Sequence, residues 1–262
     1  ICRLFQEEER FSYESDWFKL QDAKLQLKPL QKNMEFVVAS LRSPSGMTLA
    51  GKYEAGVLSI GAMGEEGVQA LPLQWSFAEE SAIKHGNTVD RKNWRIVMNW
   101  HIAETRQKAR EQARDGLMRH NNEYTVRTLA GGDGPIYKTA DEAVDGVAFS
   151  DQSPTVIGTP DDLVDRIHDL VKVSGGFGCV IGFVHDWASR ENTRKSWDMV
   201  ARYVIPEVNG LLSGYKESHE FVTQNRDYWN RAKDAIMSKI QENERAADVM
   251  EREGLQGEKS KS

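Results

Sequence analysis

The chain has 262 residues, 39% of them hydrophobic and 28% charged, which is enough apolar material for a sizeable core and rules out whole-chain disorder or a collagen-like structure. Thirty-four Lys and Arg stand against 40 Asp and Glu, a formal net charge of -6, so no global positive field exists to hold a polyanion and nucleic acid is not an expected partner. Its two cysteines, Cys2 and Cys179, have neither zinc-ligand nor disulfide spacing. This argues against a metal centre and for a reducing, cytoplasmic compartment. No apolar run approaches the roughly 20 residues that cross a bilayer, so no membrane association is expected.

In chain order, residues 1–8 read as the last turns of an amphipathic helix with no capping residue before it, as expected of a piece of a longer chain. Residues 11–29 alternate around Glu14-Ser15-Asp16 and predict a hairpin. Four short apolar runs predict buried strands, at residues 34–39, 57–61, 95–100 and 179–184. Because they are continuous rather than alternating, they suit a parallel sheet covered on both faces. A charged helix is predicted over 105–122 and another over 191–208, with a long polar one over 222–252. Thr159-Pro160-Asp161-Asp162 opens a further helix with a capping hydroxyl, a proline at the first helical position and acids in the first turn. Between 122 and 155 the pattern dissolves around Gly131-Gly132-Asp133-Gly134-Pro135, which predicts a lid or a disordered loop. Residues 254–262 are polar and expected to fray. Strands alternating with helices predict an α/β fold, with residues 1–210 as one domain and 211–262 as a helical extension.

The strand ending at Ala39 runs into Ser40, Ser43, Ser45 and Gly46 before a helix over 47–53. Unpaired amides and the positive dipole end of a helix N-terminus, with hydroxyls and a glycine beside them, make a seat for a phosphate. The alternative is that Ser43 or Ser45 caps the helix and does nothing else.

Five segments in this order carry a resemblance: SLRSPSGMTLAGKY (40–53), GVLSI (56–60), HIAET (101–105), TVIGTPDD (155–162) and GGFG followed by HDWA (175–188). Together they resemble the bacterial-luciferase-like flavin-dependent monooxygenases, in particular the limonene monooxygenase-like branch, and the likeness spans nearly the whole chain. It implies a TIM (β/α)8 barrel, of which the four strands read above would be units five to eight, so that only the C-terminal half is expected here. It also implies a reaction in which reduced flavin, FMN rather than FAD, comes from a separate flavin reductase and, with O2 as co-substrate, puts one oxygen into a small apolar organic substrate. The chain by itself is not expected to be a competent monooxygenase. The same barrel also serves deazaflavin-dependent hydride transfer, and a non-catalytic flavin-binding fragment is the reading from another class. A homodimer is compatible with the resemblance.

Carried over residue by residue, Ser40, Ser43, Ser45 and Gly46 would seat the flavin phosphate, with Ser59 and Ile60 beside the isoalloxazine ring. His101 and His185, at strand ends, are the candidate catalytic residues. Trp100, Asp186 and Trp187 are the candidate lining of the substrate pocket. Cys179 is expected in the core, and His85, His120, His168 and His219 on polar helix surfaces.

Overall fold

The computed structural model describes residues 1–31, 34–41, 43–60, 65–148 and 155–252. Its contacts divide the chain into Ile1–Val200 and Ala201–Ser262.

The first unit begins with a short helix, α1 (Cys2–Gln6), and the expected hairpin, β1 (Phe11–Glu14) paired antiparallel with β2 (Lys19–Ala23). Ser15 holds its turn, its hydroxyl donating to the Phe18 carbonyl and accepting from the Phe18 amide. A five-stranded parallel sheet follows rather than the four strands expected: β3 (Val37–Ser40), β4 (Gly56–Ser59), β5 (Trp94–Ile102), β6 (Thr155–Gly158) and β7 (Cys179–Phe183). β3 pairs with β4 and β4 with β5, while the nine-residue β5 carries β7 along Arg95–Asn99 and β6 along Asn99–Ile102. β6 is the unexpected strand, because its four residues run straight into a strong helix start at Thr159. Position 61, read as the end of the second strand, lies outside the described residues, as do 149–154 and 253–262.

The intervening helices are α2 (Pro44–Tyr53), α3 (Glu65–Gln69), α4 (Leu71–His85), α5 (Arg106–Arg119), α6 (Ala140–Ala148), α7 (Pro160–Ser174) and α8 (Arg190–Met199). Registered neighbours share a sheet face. Val57, Trp94, Ile96, Ser40 and Ser59 lie on the face turned to the helices, all but inaccessible to solvent, with Trp75 of α4 stacked on Trp94 at 4.8 Å. The other face carries Val37, Cys179 and Phe183, exposed on β3 and β7, and Val97, Asn99 and His101 of β5, which are buried. Cys179 is therefore not a core residue as expected. β7 puts it on the exposed part of that face, and both cysteines are free thiols.

α7 starts as its sequence predicts. The Thr159 hydroxyl accepts from the Asp162 amide while the Asp162 carboxylate accepts from the Thr159 amide at 2.8 Å, a reciprocal capping box.

The segment expected to be a lid or disordered loop is mostly helical. α5 runs on for ten residues, His120–Leu129, with the wider π-type hydrogen bonding, and the chain then returns through a Gly-rich turn to α6. Two asparagines secure the return: Asn121 Nδ2 donates to the Pro135 carbonyl, and Asn122 exchanges hydrogen bonds with the backbone of Tyr137. Arg110 of α5 then bridges Asp141 and Asp145 of α6. The sequence hid this because Gly and Asp supply the turn while the helix around it is held by side chains.

The second unit is helical, with α9 (Ile205–Val208), α10 (Ser213–Gln224), α11 (Arg226–Gln241) and α12 (Glu244–Arg252). The single helix expected over 222–252 is thus broken twice, each time at an asparagine. Asn225 turns its amide back onto the Phe221 carbonyl at 2.7 Å, and Asn243 accepts from the Ala246 amide to start α12. No helix among the described residues is long and apolar enough to cross a membrane.

Candidate active site

All five strands run the same way, so the loops after β3, β5 and β7 leave the same edge of the sheet. The candidate residues fall at that edge in two groups.

The first group is the end of β3 and the start of α2. Ser43 is the N-cap of α2 yet makes no side-chain cap bond, and Pro44 at the first helical position has no N–H to satisfy. The first-turn amides of Ser45 and Gly46 are left uncapped by it. The Ser43 and Ser45 hydroxyls lie 2.6 Å apart. Ser40 is buried, and among the described residues its Oγ has no hydrogen-bond partner, an arrangement that costs stability unless something fills the vacant bond. Gly46 lies so close that a Cβ there would meet the Ala39 carbonyl and the Ser40 Cβ at 3.0 Å. Capping alone, the alternative for Ser43, is not what its geometry shows.

Ser59 and Ile60 separate in role. The Ser59 side chain is fully buried on the helix face and its hydroxyl accepts from Trp94 Nε1 at 2.9 Å. It is a packing residue, on a strand paired on both sides with β3 and β5. The Ile60 amide donates to the Ser40 carbonyl at 2.9 Å, which brings Ile60 beside the serine loop.

The second group surrounds the ends of β5 and β7. Asn99 and His101, two apart on β5, share a face. His101 Nε2 donates to Gln112 Oε1 of α5 and His185 Nε2 donates to Asn99 Oδ1, each at 2.9 Å. The His185 ring lies flat on Trp187, with centroids 4.5 Å apart and an interplanar angle of 5°. His120, from the start of the π-helical stretch, meets His185 edge-on at 4.7 Å. By sequence alone His120 falls on a polar helix surface. The only sign of it in the sequence was its place where the α5 pattern breaks down, and π-helical turns are frequent at functional sites.

Burial pushes the pKa of all three histidines down. For His185, burial and then repulsion from His120 outweigh the opposing pull of Asp186 and bring it to about 4. At neutral pH these rings are uncharged.

The expected pocket lining is only partly brought together. Trp100 points to the opposite face, against Trp197 and over Gly182, because successive strand residues alternate. Trp187 is 5% exposed and sits in a core with Ala109, Ala113, Leu117 and Ile157. α5 approaches it so closely that a Cβ on Gly116 would lie 2.2 Å from the Trp187 carbonyl oxygen. Asp186 does reach the edge of a cavity of about 350 Å³, with Arg119, His120, Glu123 and Tyr124, and pairs there with Arg119 at 3.3 Å.

A partial parallel barrel with its polar groups at the carboxyl ends of the strands is the arrangement of the TIM-barrel enzymes. Residues 1–176 match the family model described as luciferase-like monooxygenase, and the chain belongs to that family. It is similar to 4-hydroxyprotoasukamycin monooxygenase of Streptomyces nodosus subsp. asukaensis, 37% identical over 86% of this chain and 60% of that protein. It is also similar to limonene 1,2-monooxygenase of Rhodococcus erythropolis, 36% identical over 80% of this chain and 54% of that protein. The chain thus spans a little over half the length of the curated relatives it matches. Among solved structures it resembles the oxygenating constituent of 3,6-diketocamphane monooxygenase of Pseudomonas putida in complex with FMN, with a TM-score of 0.58 at 21% identity, over 79% of this chain and 60% of that one.

Proposed function

We propose that this chain supplies the flavin-phosphate seat and part of the substrate mouth of a flavin-dependent monooxygenase, which takes reduced FMN from a separate flavin reductase and inserts one oxygen of O2 into a small organic molecule. The observation that carries the reading is the buried Ser40 hydroxyl, unpartnered among the described residues, beside the uncapped start of α2. A phosphate there accepts hydrogen bonds from Ser40, Ser43, Ser45 and the Gly46 amide, with the positive end of the helix dipole behind it. The flavin, when bound, supplies the redox and oxygen chemistry. The chain's own residues hold it and exclude water. α5, fastened through His101 and Gln112 and seated on Trp187, covers the β5–β7 edge of the sheet. That cover suits a reaction that water would divert.

Titrating FMN and riboflavin into the chain tests this directly, since the two differ only by the phosphate. FMN is expected to bind at least tenfold more tightly. Equal affinities would overturn the phosphate seat. A preference for a reduced deazaflavin, with substrate reduction and no oxygen consumption, would favour hydride transfer instead.

A further inference from the structure

We propose that His120, together with His185, forms a subsite in the cavity between the π-helical continuation of α5 and the loop after β7, and that it binds the hydroxyl- or carbonyl-bearing end of an uncharged cyclic organic substrate. This rests on the reading of the carboxyl edge of the sheet as the substrate mouth, and it adds a polar determinant to a substrate otherwise expected to be apolar.

His120 and Tyr124 line the cavity, and an aromatic cluster stands behind His120. His120 lies against His185 at 4.7 Å and against Tyr124 at 5.3 Å, and His185 is backed by Trp187 and meets Phe183 edge-on at 5.9 Å. Such faces and edges suit a ring. Among the described residues, three ring nitrogens of this cluster are vacant, one on His185 and two on His120. Asn99 Oδ1 is an acceptor only, so His185 Nε2 carries the proton and neutral His185 keeps Nδ1 as an acceptor. The half-buried His120 ring makes no hydrogen bond to any described residue, leaving one donor and one acceptor. An alcohol or phenol O–H can give its proton to either ring, and a carbonyl can accept one from His120.

The charges define what is excluded. Arg119, Glu123 and Asp186 line the same cavity, one positive group against two negative, and Arg119 is already paired with Asp186. A carboxylate or phosphate ligand would meet net repulsion with no free cation in the lining to answer it. The volume of about 350 Å³ is at the small end of ligand pockets, suited to a ring and its substituents rather than a long chain.

The test uses 4-ethylphenol, ethylbenzene and 4-ethylbenzoate as probes of the whole chain, followed by the imidazole resonances of His120 and His185 in NMR titrations. 4-Ethylphenol is expected to shift both rings and to bind roughly tenfold more tightly than ethylbenzene, about one hydrogen bond's worth. His120→Phe keeps the ring and loses its nitrogens, and should erase that tenfold difference while leaving ethylbenzene binding unchanged. His120→Gln restores a donor and an acceptor and should recover most of it, which also separates loss of binding from loss of fold. Equal affinity for phenol and ethylbenzene, an unaffected His120→Phe variant, tighter binding of the benzoate, or no binding of any probe at millimolar concentration would each overturn the proposal. FMN and riboflavin titrated into the same sample keep the two readings apart, because loss of their discrimination with phenol binding intact would count against the phosphate seat alone.

Discussion

Replacing Gly116 by alanine probes the contact that brings α5, and with it His120, onto the loop after β7. In an ordinary helix interior the change stabilises by about 1 kcal/mol, because glycine has more backbone entropy to lose. Here the added Cβ would fall 2.2 Å from the Trp187 carbonyl oxygen and 2.6 Å from its Cα. Real Cβ contacts stay above about 3 Å, so the helix must retreat by roughly 0.8 Å, and no rotamer change can relieve a clash of backbone with backbone. The retreat loosens Ala109, Ala113 and Leu117 from Trp187 and Ile157, a core buried almost completely. Overpacking of this kind costs about 3 kcal/mol at the upper end of its usual range, leaving a net loss of about 2 kcal/mol after the helix gain. For a protein of this size that is a fall in Tm of roughly 4 to 8 °C. Thermal unfolding followed by circular dichroism measures it, with Gly214→Ala as control, since a Cβ at that position of α10 meets nothing within 4 Å. The control should be neutral or slightly stabilising. If Gly116→Ala were equally harmless, α5 would not be seated on Trp187 and the pairing of His120 with His185 would fall with it.

Ser43→Asp places a carboxylate about 5 Å from a bound phosphate dianion. Even at the dielectric constant of water this repels by about 1.7 kcal/mol, so FMN affinity should fall more than tenfold, with the loss shrinking as salt is added and riboflavin binding unchanged in fluorescence titrations. Acid should destabilise the fold. His185 has its pKa lowered to about 4, so above the unfolded value of about 6.5 both states are neutral, and between 6.5 and 4 only the unfolded chain takes up the proton. Stability should therefore drop as pH falls through that window, with His101 and His120 adding to the same trend. His185→Phe should flatten the drop in urea melts compared at pH 7 and pH 4.5. Thr159→Ala removes both hydroxyl bonds of the α7 capping box and should cost about 1 kcal/mol in the same assay, whereas Thr159→Ser should cost much less.

What the sequence determined by itself was local. The Thr159 cap, the Ser15 turn, the apolar runs of β3, β4, β5 and β7, and the serine-glycine loop before α2 are each set by neighbours within a few residues, where hydrogen-bond chemistry and periodicity decide. The ordered motifs added the family and the barrel. What only the tertiary structure decided depends on partners distant along the chain. Ser59 reads as a ligand position until Trp94, 35 residues on, takes its hydroxyl. Trp100 reads as pocket lining until strand alternation turns it onto Trp197. His120 looks like a surface residue until a π-helical stretch carries it to His185, 65 residues away. β6, four residues in length, is a strand only because the far half of β5 has a free edge for it to pair with. Local chemistry fixes how a segment turns and caps itself, but which of its faces is buried is settled by whatever packs against it, and that free energy belongs to contacts no short stretch of sequence contains.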